Sequence, residues 1–170
     1  MNSDQQARTE AVFEQLFRDY RQPILNYIYR LVSDSALAED LTQQAFVKAY
    51  RALPRLTAEA NRRAWLYRIA TNTSYDYLRR RRLVRWLPLL ERDSPSLIDK
   101  GPDGPAIQQD AVQRTLACLS PDYRAVLILY CVQGYATTEI SQILGISQGA
   151  VKTRLCRARE RFRQAYAEEG

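Results

Sequence analysis

The 170-residue sequence contains no histidine and only three cysteines, which are separated by 13 and 25 residues. Histidine is the commonest general base and zinc ligand, so its absence argues against an enzyme and against a metal site. No pair of cysteines has the close spacing of a zinc or redox motif. We therefore expect no enzyme activity, no cofactor and no bound metal. Few, unpaired cysteines also favour a reducing compartment, which predicts a cytoplasmic protein.

Long apolar runs are also missing. The longest, residues 125–132, is far too short to span a bilayer, and the N-terminus lacks the apolar core of a secretion signal. We expect no membrane insertion.

Glycine is absent before Gly101, and no strand-like alternation of apolar residues competes with a helical pattern. Four of the seven prolines fall in residues 86–106, an acidic stretch that predicts an irregular linker. The predicted fold is all-α: two small helical domains, residues 8–85 and 107–168, joined by a flexible linker. The helices predicted in the first domain cover residues 8–33, 35–53 and 61–84.

Positive charge is concentrated in two separate segments. Residues 61–85 contain eight basic and one acidic side chain, and residues 151–170 contain six basic and three acidic ones. A partner that touches both segments must extend over a long surface. This arrangement fits duplex DNA better than a small acidic ligand.

The second basic segment follows a pattern typical of a helix-turn-helix. Residues 137–162 predict two amphipathic helices joined by a four-residue turn, with Gly145 ending the first helix and Ser147 capping the second. A hairpin of two packed helices is the structural alternative. The expected packing face of the second helix comprises Val151, Leu155, Ala158 and Phe162, and the expected reading face comprises Gln148, Gly149, Lys152, Thr153 and Cys156.

The first basic segment predicts a helix with one unusual face, on which cations, amides and aromatic rings are mixed. These side chains suit phosphates, base edges and unpaired bases. The alternative is that Trp65 and Tyr75 only pack against neighbouring helices. The unusual face comprises Asn61, Trp65, Arg68, Asn72, Tyr75, Asp76 and Arg79, and the apolar face comprises Leu66, Ile69, Ala70, Thr73 and Tyr77.

Three segments together resemble the extracytoplasmic-function (ECF) sigma factors of bacterial RNA polymerase, within the sigma-70 family. In chain order they are DSALAEDLTQQAFVKAYRAL, WLYRIATNTSYDYLRRRRL and LSPDYRAVLILYCVQGYATTEISQILGISQGAVKTRLCRARERF. The resemblance implies sigma region 2 in the first domain and sigma region 4 in the second. It implies a promoter-specificity subunit with core RNA polymerase, promoter DNA and an anti-sigma factor as partners, and a monomer when free.

The resemblance also implies residue roles. For core polymerase binding these are Asp40, Gln43 and Gln44. Together with Val47 they are spaced three or four residues apart, which predicts one exposed strip of a helix that could contact another helix. The alternative is an ordinary solvated face. For capture of the melted −10 element the implied residues are Asn61, Arg62, Arg63, Trp65, Arg68, Asn72, Tyr75, Asp76 and Arg79. For reading the −35 element they are Lys152, Thr153, Cys156 and Arg157, and the predicted reading face adds Gln148.

Three alternatives stay open on sequence grounds. Cys156 either contacts DNA or packs as a buried thiol. The helix-turn-helix could belong to a conventional dimeric regulator that binds palindromic DNA. A serine recombinase would carry a similar C-terminal motif, but it needs a catalytic domain with strands, and the N-terminal half predicts none.

Overall fold

A computed structural model describes residues 3–86 and 107–169, with the side chains of residues 3–84 and 111–168. Within these ranges all regular structure is helical, as predicted, while nearly all of the predicted linker (residues 87–106) lies outside the described residues. The helices are α1 (Ser3–Val32), α2 (Ser35–Ala52), α3 (Arg62–Trp86), α4 (Ile107–Ala117), α5 (Pro121–Leu127), α6 (Thr137–Leu144) and α7 (Gln148–Glu169). A short 3₁₀ turn, Leu53–Arg55, follows α2, and a π-helical turn, Ile128–Val132, follows α5.

The first domain is a bundle of α1, α2 and α3. Immediately after α1, Ser33 takes a left-handed conformation with φ of 60°. Asp34 then caps α2 by accepting a hydrogen bond from the Leu37 N–H at 3.0 Å. This tight connection makes α1 and α2 antiparallel neighbours, and α3 packs across both. Their shared core contains Ile24, Tyr27, Ile28, Leu31, Leu41, Ala45, Phe46, Leu66 and Ala70.

The second domain contains α4 to α7. Ser120 caps α5 with Pro121 at the first helical position, and Ser147 caps α7, as the sequence predicts, by accepting from the Ala150 N–H at 3.1 Å. The predicted four-residue turn of the helix-turn-helix is wrong. The turn has three residues, 145–147. Helix α6 extends to Leu144, and its C-cap, Gly145, has a φ of 66° and is the first residue of the turn.

The two domains pack against each other, which the sequence did not predict. Helix α6 lies against α3, and α4 and α5 lie against the end of α1. Arg124, which is 8% exposed, donates hydrogen bonds to the carbonyl oxygens of Leu31, Ala117 and Leu119. Gln113 donates to the Arg30 carbonyl at 3.2 Å. Helix ends leave carbonyls without intrahelical partners, so side chains of the second domain satisfy the C-terminal end of α1.

Candidate nucleic-acid and polymerase interfaces

Helix α7 presents the two faces that its sequence predicts. Val151, Leu155 and Ala158 are buried, and Phe162 is half-buried. All five residues of the predicted −35 set are exposed: Gln148, Lys152, Thr153, Cys156 and Arg157. The exposure of Cys156 contradicts the alternative of a packed thiol and places this side chain on the open face of the helix.

Neighbouring helices hold α7 in a defined orientation. The Gln148 amide donates to the Thr137 hydroxyl of α6 at 3.0 Å, and Arg154 lies 3.6 Å from the Asp122 carboxylate of α5. The Glu139 carboxylate accepts from the Ala136 N–H at 3.1 Å, which stabilises the start of α6. The open face of α7 is therefore a rigid, basic surface supported by α5 and α6.

Helix α3 does not present one open face. Among the predicted −10 residues, Asn61, Arg62, Arg63, Arg68, Asn72 and Arg79 are exposed, whereas Trp65, Tyr75 and Asp76 are half-buried. Asn61 accepts a hydrogen bond from the Ala64 N–H at 3.1 Å and so caps α3, a role that the sequence analysis missed. Asp76 and Arg79 form an ion pair within the helix.

Three members of the predicted −10 set touch the second domain. The Arg63 guanidinium lies 2.6 Å from the Glu139 carboxylate and 4.5 Å from the centre of the Tyr135 ring. The Arg68 guanidinium lies against Gly145 in the helix-turn-helix. The Tyr75 hydroxyl donates to the Pro121 carbonyl at 3.5 Å. These side chains therefore lie at a contact between the domains.

The Arg63–Glu139 contact shifts both ionisable groups towards their charged forms. The hydrogen bond from the Ala136 N–H, and then the contact with Arg63, lower the pKa of Glu139 below its usual value. Burial acts to lower the pKa of Arg63, but the hydrogen bond to Glu139 and neighbouring charges raise it overall. Both groups are charged at neutral pH.

Sequence reasoning missed a second buried face of α3. Ala64, Tyr67, Thr71 and Ser74 are buried beside the predicted apolar face. The Thr71 hydroxyl donates to the Tyr67 carbonyl at 2.7 Å, and the Ser74 hydroxyl donates to the Ala70 carbonyl at 2.9 Å. Because these hydroxyls bond to their own helix, burying them leaves no unpaired polar group. The spacing of small residues and Tyr67 was the available signal.

Helix α2 carries the exposed strip that the sequence predicts. Asp40, Gln43, Gln44 and Val47 are all exposed, and the Gln44 amide donates to the Asp40 carboxylate at 2.8 Å. Beside the strip lies an open groove of about 520 Å³ between α1 and α2. Its lining is mostly aromatic and comprises Phe13, Phe17, Gln43, Phe46, Val47 and Tyr50.

Comparison with known proteins identifies the family. The profile of sigma-70 region 2 matches residues 16–84, and that of sigma-70 region 4 matches residues 109–162. RNA polymerase sigma factor SigZ of Bacillus subtilis is 32% identical over 151 residues, which cover 89% of this chain and 85% of SigZ. This chain is a sigma factor of the sigma-70 family. As a member of the sigma-70 family it is a transcription initiation subunit and not an enzyme, which confirms the sequence prediction.

Similarity to a relative named as an ECF sigma factor places the chain in the ECF group of this family. ECF sigma factor SigW of Bacillus subtilis is 31% identical, and the match covers 85% of this chain and 83% of SigW. ECF sigma factor SigE of Mycolicibacterium smegmatis is 30% identical over 92% of this chain, which spans 62% of SigE. Among solved structures, sigma factor RpoE in complex with the anti-sigma factor NepR, from Bartonella quintana, has a TM-score of 0.73 and 27% identity. That match covers 90% of this chain and 95% of RpoE.

A second solved structure, of CnrH in complex with the cytosolic domain of CnrY, also has a TM-score of 0.73, with 25% identity and coverage of 95% and 91% of the two chains. Among the described helices of this sigma factor, none is long and apolar enough to cross a membrane. In the same residues no group of three or more His, Cys, Asp or Glu side chains is placed to hold a metal ion.

Proposed function

We propose that this sigma factor binds core RNA polymerase through α2, reads the −35 element with α7 and captures the melted −10 strand with α3. The observation that carries the proposal is the division of α7 into a buried apolar face and an open basic one. A helix of this kind fits the major groove of B-DNA, which is about 12 Å wide. The sigma factor acts in the cytoplasm, where its polymerase is.

On α7 the long and the short side chains have different roles. Lys152 and Arg157 reach phosphates and guanine edges, so they contribute affinity that falls with rising salt. Thr153 and Cys156 are short and lie at the centre of the open face, so they contact only the base pair directly beneath them. Cys156 offers an apolar contact that suits a thymine methyl group.

On α3 the cations bind the strand backbone and the aromatic rings stack on bases. Stacking is available only after the strands separate, because paired bases already stack on their neighbours. Trp65 and Tyr75 are half-buried, so they reach an unpaired base only when neighbouring side chains move aside. This helix therefore acts at strand opening, after α7 has bound duplex DNA.

On α2 the exposed strip forms a helix-on-helix contact with the polymerase. Asp40, Gln43, Gln44 and Val47 recur at spacings of three and four residues, so they share one side of the helix. An apolar Val47, 49% exposed, beside hydrogen-bonding amides is typical of a protein interface rather than a solvated face.

Regulation by an anti-sigma factor follows from the family. One similar solved structure is a sigma factor in complex with an anti-sigma factor, and it covers 90% of this chain. We infer that an anti-sigma factor binds this chain as well and masks its polymerase-binding strip.

Co-purification with core polymerase tests this function. The triple variant Asp40→Asn, Gln43→Ala, Gln44→Ala should recover much less polymerase than the wild type, while its circular dichroism is unchanged because all three side chains are exposed. Asp19→Asn, on the exposed side of α1, is the matched control for loss of one carboxylate. Equal polymerase recovery from the triple variant and the control would contradict the assignment.

Transcription from a promoter recovered by footprinting then tests the DNA roles. A tight dimer in gel filtration, with footprints only on palindromic sites, would instead support the conventional regulator.

A further inference from the structure

Four side chains join α3 to the segment that precedes and begins α6. We call them the clasp: Arg63 and Tyr67 from the first domain, and Tyr135 and Glu139 from the second. The Tyr67 and Tyr135 rings meet edge to face, with centroids 5.0 Å apart and planes inclined by 70°. The Tyr67 hydroxyl also donates to the Gln133 amide oxygen at 2.8 Å. The clasp thus combines an aromatic pair, a hydrogen bond and an ion pair.

Aromatic packing contributes most to the clasp. Tyr67 and Tyr135 are 1% and 5% exposed, so nearly all of both rings is removed from water. The Arg63 and Glu139 side chains are 44% and 27% exposed, and solvent screens an ion pair at such a site. The rings therefore hold the domains together, and the ion pair determines where the Arg63 guanidinium lies.

Within the clasp, Glu139 binds the Arg63 guanidinium, which the proposed function needs for contact with DNA. A carboxylate and a DNA phosphate offer a guanidinium the same chemistry, a pair of anionic oxygens. While Glu139 holds Arg63, a phosphate must compete with it. Arg68 and Tyr75 touch the second domain along the same side of α3, at Gly145 and Pro121. The closed arrangement therefore competes with DNA for three residues of the predicted −10 set.

We propose that the clasp is an autoinhibitory contact, which keeps the free sigma factor closed and Arg63 paired with Glu139 until polymerase or DNA separates the domains. The inference rests on the proposed role of α3 in binding single-stranded DNA. Its test therefore measures closure and DNA binding separately.

The first experiment removes the charge of Glu139. Glu139→Gln keeps an oxygen that can accept from the Ala136 N–H, so α6 retains its cap while Arg63 loses its anionic partner. Glu160→Gln is the matched control, because it makes the same charge change on α7 and the partners of Glu160 among the described residues, Arg163 and Gln164, lie on that same helix. We expect Glu139→Gln to raise the affinity of the full chain for a short oligothymidine strand about two- to five-fold above Glu160→Gln. Equal affinities would overturn the inference.

The second experiment reverses and then restores the pair. Glu139→Arg places two cations together, so the radius of gyration from small-angle X-ray scattering should increase, with oligothymidine affinity above that of the control Glu160→Arg. Adding Arg63→Glu recreates an ion pair of opposite polarity, which should return the radius to the wild-type value without restoring the lost strand contact. A radius that is the same in all variants would overturn the proposed closure.

The single variant Arg63→Ala separates this inference from the proposed function. If α3 binds single strands, Arg63→Ala weakens oligothymidine binding relative to Glu139→Gln, whatever the scattering shows. Unchanged binding in Arg63→Ala would contradict the role of Arg63 in DNA capture, and hence both proposals. Weakened binding together with equal Glu139→Gln and Glu160→Gln affinities would leave the function intact and overturn only the clasp.

Discussion

Helices α3 and α7 are both basic, yet the fold treats them differently. The apolar face of α7 is buried by its own domain, and its opposite face is open, from Gln148 to Arg157. Helix α3 is buried on one side by α1 and α2 and on another by α6 of the second domain. Duplex DNA can therefore reach α7 in the closed chain, whereas a strand reaches all of α3 only after the domains separate. Net charge alone does not reveal which basic helix is accessible.

The largest expected effect on this contrast between α3 and α7 comes from truncating a side chain on the buried face of α7. Leu155 is 6% exposed, and Leu155→Ala removes most of a buried apolar side chain, so we expect the free energy of unfolding to fall by about 2–5 kcal/mol. Urea unfolding followed by circular dichroism measures the change. Thr153→Ala, on the open face two residues away, should change stability by less than about 0.5 kcal/mol. Similar losses in both variants would mean that the two faces of α7 are not distinct.

Arg124 tests the contact of α5 with the end of α1. Arg124→Met keeps much of the side-chain length but removes the donors to the Leu31, Ala117 and Leu119 carbonyls. Unpaired buried carbonyls cost about 1–3 kcal/mol, so thermal and urea unfolding should show a loss of that size. Arg161→Met, at an exposed position on α7, provides a comparison in the same domain. Equal stability of Arg124→Met and the wild type would contradict a structural role for the buried guanidinium.

Trp65 tests whether α3 acts after strand separation. Stacking contributes about 1–3 kcal/mol per base, so Trp65→Ala should weaken open-complex formation by that amount. On a promoter with a pre-melted −10 bubble the defect should persist, because capture of the exposed base is still impaired. Full rescue on the bubble would instead assign Trp65 to the opening step or to packing. Duplex −35 binding should be unchanged in either case, which sharpens the contrast with α7.

Cys156 tests the open face of α7 at a single base pair. Cys156→Ser keeps the size of the side chain but removes its apolar contact, and should shift preference at one position of the −35 element by about 1 kcal/mol. The salt dependence should hardly change, in contrast to Lys152→Ala, which should reduce the salt slope by about one. Thiol labelling of Cys156 should be rapid in the free protein and slow in the promoter-bound polymerase. Equal labelling rates in the two states would contradict contact with DNA.

The smallest effect concerns pH. The lowered pKa of Glu139, caused first by the Ala136 N–H and then by Arg63, means that its ionised form favours the folded state. This contribution is complete above the ordinary carboxyl pKa of about 4.3 and disappears as pH falls through the lower folded value. Because the Arg63 and Glu139 side chains are both partly exposed, solvent screens their interaction and we expect only a slight change in stability. Other carboxylates titrate in the same range, so the measurement is the difference between wild type and Glu139→Gln, which should vanish in acid. A constant difference across this range would contradict a role for the charge.

Much of the fold could be predicted because its signals are local. Capping by Ser120 and Ser147, the left-handed Gly145 and the period of apolar residues along α7 depend on a few neighbouring positions. The exposed strip on α2 was predicted for the same reason. The turn between α6 and α7 was predicted to have four residues and has three, since the ends of helices depend on the balance of a few hydrogen bonds.

The sequence by itself determined that the chain is helical, which faces of α2 and α7 are open, and that two segments carry the positive charge. Only the tertiary structure decided which parts of α3 are covered. The burial of Tyr67 depends on Tyr135, 68 positions further along the chain, and the partner of Arg63 is Glu139, 76 positions away. Periodicity describes one helix and cannot specify which distant segment lies against it, because that choice depends on the packing of whole surfaces.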